Sequence, residues 1–140
     1  MVHTAYIELS TRGNSDMHDL TRRVQKMVSE SKIASGVVSV FTPSSTSALT
    51  TIEFESGALD DLRRALEEIA PQARDYRHNL RWGDNNGHAH LRAALLGPSL
   101  TVPLIEGQLL LGTWQQVLFI DFDIHPRQRR VVVQIVGEGR

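Results

Sequence analysis

The last third of the chain constrains the fold most. Residues 100–105, 108–111, 114–123 and 130–136 read as strand after strand, broken by turns such as Glu106-Gly107 and by no helical pattern. Parallel strands need a long crossover, usually a helix, and these strands have no helices between them. A purely doubly wound sheet is excluded. Upstream the pattern is mixed. Residues 4–9 alternate, with Ala5, Ile7 and Leu9 on one face of a half-buried strand. Asn14 or Ser15 is placed to cap a helix whose apolar stripe is Met17, Leu20, Val24, Met27 and Val28, ended by Ser35-Gly36. Residues 37–41 and 49–55 read as strands on either side of the polar loop 42–47. A second helix opens at Ser56-Gly57, with the stripe Leu59, Leu62, Leu66 and Ile69. Residues 71–87 read as a long irregular segment, and 91–96 as a short helix closed by Gly97-Pro98. The expected class is therefore α+β: a mostly antiparallel sheet curling into a barrel-like core, with two main helices. A chain of 140 residues, 41% hydrophobic, can bury such a core as a single domain over residues 1–140.

Charge and composition narrow the function classes. Fifteen Lys and Arg stand against sixteen Asp and Glu, for a net charge of -1. A nucleic-acid binder relies on neutralising phosphates, so no nucleic-acid partner is expected. The absence of cysteine removes disulfides, thiolate zinc sites and cysteine nucleophiles. Met1-Val2-His3-Thr4 lacks the basic stretch and apolar run of a secretory signal, and no apolar run is long enough to span a membrane. The expectation is a cytoplasmic protein with no membrane partner.

Three of the six histidines, His78, His88 and His90, fall within thirteen residues. Neutral imidazole is the commonest protein ligand for zinc, and three ligands plus an open position make a catalytic site. His88 and His90 are two apart: side by side on a strand, but about 200° apart on a helix. They converge only if His88 is extended or lies just before the helix, where Gly87 permits a bend. Asp84 and Asn85 suit the groups that orient metal-bound imidazoles, and equally suit an ordinary turn. Within the strand expected at 49–55, period two puts Thr51, Glu53 and Glu55 on one face, where Glu53 is either a general base or a solvated carboxylate. The loop Ser44-Ser45-Thr46-Ser47 offers hydroxyls and N–H groups to a phosphate, or simply to water. Arg127, Arg129 and Arg130 either grip a phosphate or keep a hairpin tip soluble. Trp114, after Gly112-Thr113, reads as a core residue or the wall of a pocket.

Taken together, Gly87-His88-Ala89-His90, Ala93-Ala94-Leu95-Leu96-Gly97-Pro98-Ser99, Val102-Pro103, Gly107, Leu111-Gly112-Thr113-Trp114-Gln115-Gln116, Asp121-Phe122-Asp123 and Arg127 resemble the YjbQ-like family. The elements Tyr76-x-His78-Asn79 and Glu53 match it too. The family has long been regarded as uncharacterised, and some members are described as secondary thiamine-phosphate synthases. The resemblance implies an α+β fold with a barrel-like sheet, a homotrimer, and a metal site near the subunit boundaries. It implies His78, His88 and His90 as ligands of a divalent metal, zinc by ligand type, with Glu53, Asp84 and Asn85 as catalytic pocket residues. Ser45, Thr46 and Arg127 would hold a small phosphorylated substrate. The implied reaction joins hydroxymethylpyrimidine diphosphate to thiazole phosphate and releases pyrophosphate. A zinc-dependent hydrolase with Glu53 as base, and a non-catalytic trimer in which the metal fixes the loop, are the competing classes. In many bacterial members a histidine directly follows the loop proline; Ser44 stands after Pro43 in this chain.

Overall fold

The computed structural model describes residues 1–139. In chain order the elements are β1 (Val2–Thr11), β2 (Asp16–Asp19), α1 (Thr21–Ser31), β3 (Ile33–Phe41), β4 (Ser47–Ile52), α2 (Ser56–Ile69), α3 (Arg77–Trp82), α4 (Gly87–Leu96), β5 (Ser99–Ile105), β6 (Gln108–Leu109), β7 (Gln116–Asp121) and β8 (Arg127–Gly139). The strands form two antiparallel sheets, one ordered β1-β8-β3-β5-β6 and the other β2-β7-β4. The architecture is α+β, a curled antiparallel sheet with helices; at the end of the chain β5 and β6 form a hairpin, whereas β7 crosses to pair with β2 and β4 and β8 returns to pair with β1 and β3. Among the described residues no helix is long and apolar enough to cross a membrane.

Apolar burial explains how the layers stack. Ile7 and Leu9 of β1, Val38 and Val40 of β3, and Val131, Val133 and Ile135 of β8 all face one core. Helix α1 fills that core with Val24 and Val28, and the smaller sheet closes it with Leu49, Val117 and Phe119. The other face of the smaller sheet carries Ala48 and Ile120, which pack with Phe122 against Leu66 of α2 and Ala89 and Ala93 of α4. Strand β7 is thus buried on both faces, which is why 117–120 is an unbroken apolar run rather than an alternating one. Helices α2 and α4 lie against its outer side, and α4 together with α3 carries the site.

Four sequence expectations are corrected. The first helix begins at Thr21 and not after Ser15, because Asn14 and Ser15 adopt left-handed backbone with φ of 53° and 67°. The turn docks on the end of β7 through Asn14 N–H to Asp123 O at 2.7 Å and Ser15 N–H to Asp121 O at 2.8 Å. That docking commits residues 16–19 to pairing with β7, so Met17 belongs to a strand. The same helix ends at Lys32, and Ser35-Gly36 lies inside β3. Glu53 and Glu55 lie beyond the end of β4, since the Glu55 carboxylate accepts from the Gly57 and Ala58 N–H groups and caps α2. Finally, the segment 71–87 contains α3. Of the two readings of Trp114, the pocket wall holds: it is 73% exposed and lines a pocket with Glu53 and Thr113.

Candidate metal centre

The site is assembled where α3 meets α4. Asn79 Oδ1 accepts from Gly87 N–H at 2.9 Å, tying the middle of α3 to the first residue of α4. Glycine is required there: a Cβ on Gly87 would lie 2.4 Å from the Tyr76 Cβ. Gly83, with φ of 65°, turns the chain back after α3 and brings Asp84 alongside His78. Asp84 Oδ1 then accepts from Asn86 N–H at 3.1 Å. Asn86, buried at the start of α4, accepts from Ile124 N–H at 3.0 Å and anchors the helix beside Asp123.

These clamps bring together His78, Asp84 and His90, whose ligand-capable atoms all lie within 4.8 Å of one another. The two imidazole rings are 4.3 Å apart, centroid to centroid, and tilted by 41°. His78 Nδ1 is buried and lies 3.3 Å from Asp84 Oδ1, yet the pair lacks hydrogen-bonding alignment and the nitrogen has no partner. A buried polar atom left so costs about 1–3 kcal/mol. Two ligands of a tetrahedral zinc, with metal–ligand bonds of about 2.0–2.2 Å, stand about 3.3–3.5 Å apart. The His78–Asp84 separation fits that geometry, and the orphaned nitrogen is what a coordinated ion would satisfy. Burial lowers the pKa of His90, with the neighbouring His78 adding to the effect, so its ring is held in the neutral form that binds metal. The Ser45 backbone beside the ring acts in the opposite direction.

His88 is not part of this group. It lies on α4 together with His90, two residues away, and helical geometry turns the two rings to different sides. It is 2% exposed and lines a separate pocket with Glu67 and Arg92. Burial lowers its pKa, Arg92 lowers it further, and Nδ1 has no aligned hydrogen-bond partner. Glu53 is exposed beyond β4 and borders a different pocket, with Arg22, Thr113 and Trp114. Asn85 is exposed with φ of 58°, its backbone carbonyl close to the His88 ring.

Beside the centre is a network that sequence reasoning passed over. Asp121, fully buried, takes two contacts from Arg129, Nε at 2.8 Å and Nη2 at 3.1 Å, and accepts from Thr11 Oγ1 at 2.7 Å. Asp123 accepts from His125 N–H at 2.9 Å and Thr46 Oγ1 at 3.1 Å, with Arg127 Nε at 3.2 Å. Burial raises its pKa, but the bonds from His125, Asn86, Arg127 and Thr46 overcome this and hold it to about 2. Thr46 is committed to this network, whereas Ser45 and Arg127 are exposed at its edge. The signal for Asp121 was available: a carboxylate at the end of an apolar run, register-paired with Ser47 and Asp16 on neighbouring strands.

The clamp at Gly87 gives the first prediction. Gly87→Ala forces Tyr76 and α3 away from α4, so affinity for zinc is expected to fall about 10–100-fold, the ordinary loss when a supporting contact is removed. Calorimetric titration with zinc checks it, and circular dichroism verifies that the fold persists. Unchanged affinity would mean that the clamp does not position the trio.

Comparison with known proteins accounts for nearly the whole chain. The family model described as UPF0047 protein YjbQ-like matches residues 5–138. A UPF0047 protein of Archaeoglobus fulgidus is 42% identical over 128 residues, covering 91% of this chain and 97% of its own. One from Methanothermobacter thermautotrophicus is 41% identical, covering 98% and 94%. Among solved structures, a YbjQ-like protein of unknown function from Sulfolobus solfataricus P2 superposes with a TM-score of 0.93 at 35% identity, covering 99% of both chains. A hypothetical protein from Aeropyrum pernix K1 gives 0.90 at 32% identity, over 97% of this chain and 99% of its own.

Proposed function

The chain belongs to the YjbQ-like UPF0047 family, and from that premise we propose that it is a divalent-metal enzyme of the thiamine-phosphate-synthase type, working as a homotrimer. The observation that carries the metal reading is the His78–Asp84–His90 group with its orphaned Nδ1. Two imidazoles and a carboxylate suit zinc, and the same donor set also suits iron(II). A bound ion of this kind supplies Lewis acidity toward a substrate oxygen. The chain's own groups do the rest. His78, His90 and Asp84 would hold the ion, and Asp123 braces Thr46 and Arg127 at the rim. Arg127, exposed there, is available to a phosphorylated substrate and to the diphosphate that leaves as the pyrimidine joins the thiazole phosphate.

Exposed apolar groups support the trimer. Helix α3 carries His78 and presents Leu80, 84% exposed, and Trp82, 66% exposed, next to the site. The outer face of the larger sheet shows Tyr6, Val37, Phe41 and Val136. Exposed apolar residues of this kind suit association surfaces.

Native mass spectrometry tests both parts of the reading. The expected species is three chains with one divalent ion each, and chelated protein should stop forming thiamine phosphate from the two phosphorylated precursors until metal is restored. A metal-free species with full turnover would overturn the metal reading, and a monomer with full turnover would overturn the trimer.

A further inference from the structure

We propose that the pocket between α2, α4 and the turn before β2 binds a small oxyanion, a phosphoryl or carboxylate group. The pocket measures about 290 Å³, and its lining includes Arg63, Arg64, Glu67, His88 and Arg92. That is close to the lower end, about 300 Å³, of ordinary small-molecule sites. Its charge is lopsided: three guanidinium groups face one carboxylate. Arg92 is 6% exposed and rigidly held, with Nε donating to Ala70 O at 2.9 Å and Nη2 to Glu67 Oε2 at 2.6 Å. Its Nη1 has only a long contact of 3.4 Å to Ser15 Oγ, so a donor on a fixed, buried fork is nearly unused. Arg63 and Arg64 are exposed at the rim, and Arg64 has only a long, solvated ion pair of 3.8 Å with Asp61.

The wall of the pocket also holds a deeply buried imidazole. His88 is 98% buried by its 2% exposure, lines this pocket, and leaves Nδ1 without a partner. Guanidinium forks match the paired oxygens of phosphate and carboxylate. An oxyanion would therefore meet donors from Arg92 and the two rim arginines, beside the buried His88 ring. In a partly buried pocket such contacts are screened less than on an open surface. The inference does not rest on the metal reading, because the pocket contains neither His78 nor His90.

The test is titration of the purified full chain with inorganic phosphate and, separately, with acetate, followed by amide chemical shifts. The expected result is saturable binding with shifts at residues 63, 64, 88 and 92. The double variant Arg63→Ala/Arg64→Ala, altered only at exposed positions, should bind at least about tenfold more weakly through the loss of two charge-assisted contacts. His78→Ala should bind phosphate as the unaltered protein does. Tighter binding of phosphate assigns the site to phosphoryl groups, and tighter binding of acetate to carboxylates. Absence of saturation with both anions overturns the proposal, as does unchanged affinity in the double variant. Loss of phosphate binding in His78→Ala would transfer the anion to the metal centre and overturn it too.

Discussion

Arg129→Met is expected to destabilise the fold by about 3–5 kcal/mol, the usual penalty for stripping the partner from a buried charge. Asp121 is fully buried and receives both contacts of the Arg129 fork. Methionine would fill much of the volume, so the loss would be electrostatic rather than a cavity. The remaining partners, Thr11 Oγ1 and Asp123 N–H, are neutral donors and do not compensate a full charge. The pH dependence gives a second readout. Asp123 has a folded pKa of about 2 against an ordinary 3.8, so it is depressed. A depressed carboxylate contributes stability that is fully present above the unfolded value and is lost as pH falls through the folded one. The window is therefore from about 4 down to about 2, and the contribution is on the order of 2 kcal/mol. Urea denaturation of the unaltered protein should show this decline. A loss below about 1 kcal/mol at neutral pH, typical of a surface ion pair, would mean that the network is not structural.

How much of this was legible in the sequence depends on the range of the interaction. Helix α2 was readable because its apolar stripe and its start at Ser56-Gly57 are local. The helix-free run of strands that gives the α+β class was readable for the same reason. The start of α1 was not. Met17, Leu20 and Val24 fit a helical spacing, but β7 competes for residues 16–19 and wins through the docked turn at Gly13. A Cβ on Gly13 would stand 2.3 Å from Asp123 O, a constraint set by a residue more than a hundred positions away. Glu53 was misplaced because its neighbour Glu55 serves the next helix instead of the strand. The site was half legible. Histidine density marked the segment, and the divergence of His88 from His90 on a helix was calculable. Which carboxylate joins His78 depends on the left-handed turn at Gly83 and on the Asn79–Gly87 clamp, and neither has a periodic signature. Arg129 could not be singled out from Arg127 and Arg130, because burial depends on which arginine faces inward beside Asp121.

That geometry separates the three histidines sharply, and substitution should separate them too. His90→Ala is expected to lower zinc affinity by at least about 100-fold, since removing a direct ligand should cost no less than removing an outer support, itself worth about 10–100-fold. His88→Ala is expected to retain zinc within a fewfold of the unaltered protein, because its ring lines the Glu67–Arg92 pocket and lies outside the His78–Asp84–His90 group. Its effect should appear in stability instead, as a buried side chain is deleted. Zinc titration by competition with a chromophoric chelator reads the affinities, and thermal denaturation without metal keeps folding losses distinct from ligand losses. The pH profile sharpens the contrast. With the His90 pKa lowered below the ordinary 6.5, protons displace the metal less readily than from a solvated imidazole, and uptake should persist somewhat below that pH. Equal zinc losses in the two variants, at equal folded fractions, would restore the three-histidine set and remove Asp84 from the coordination sphere.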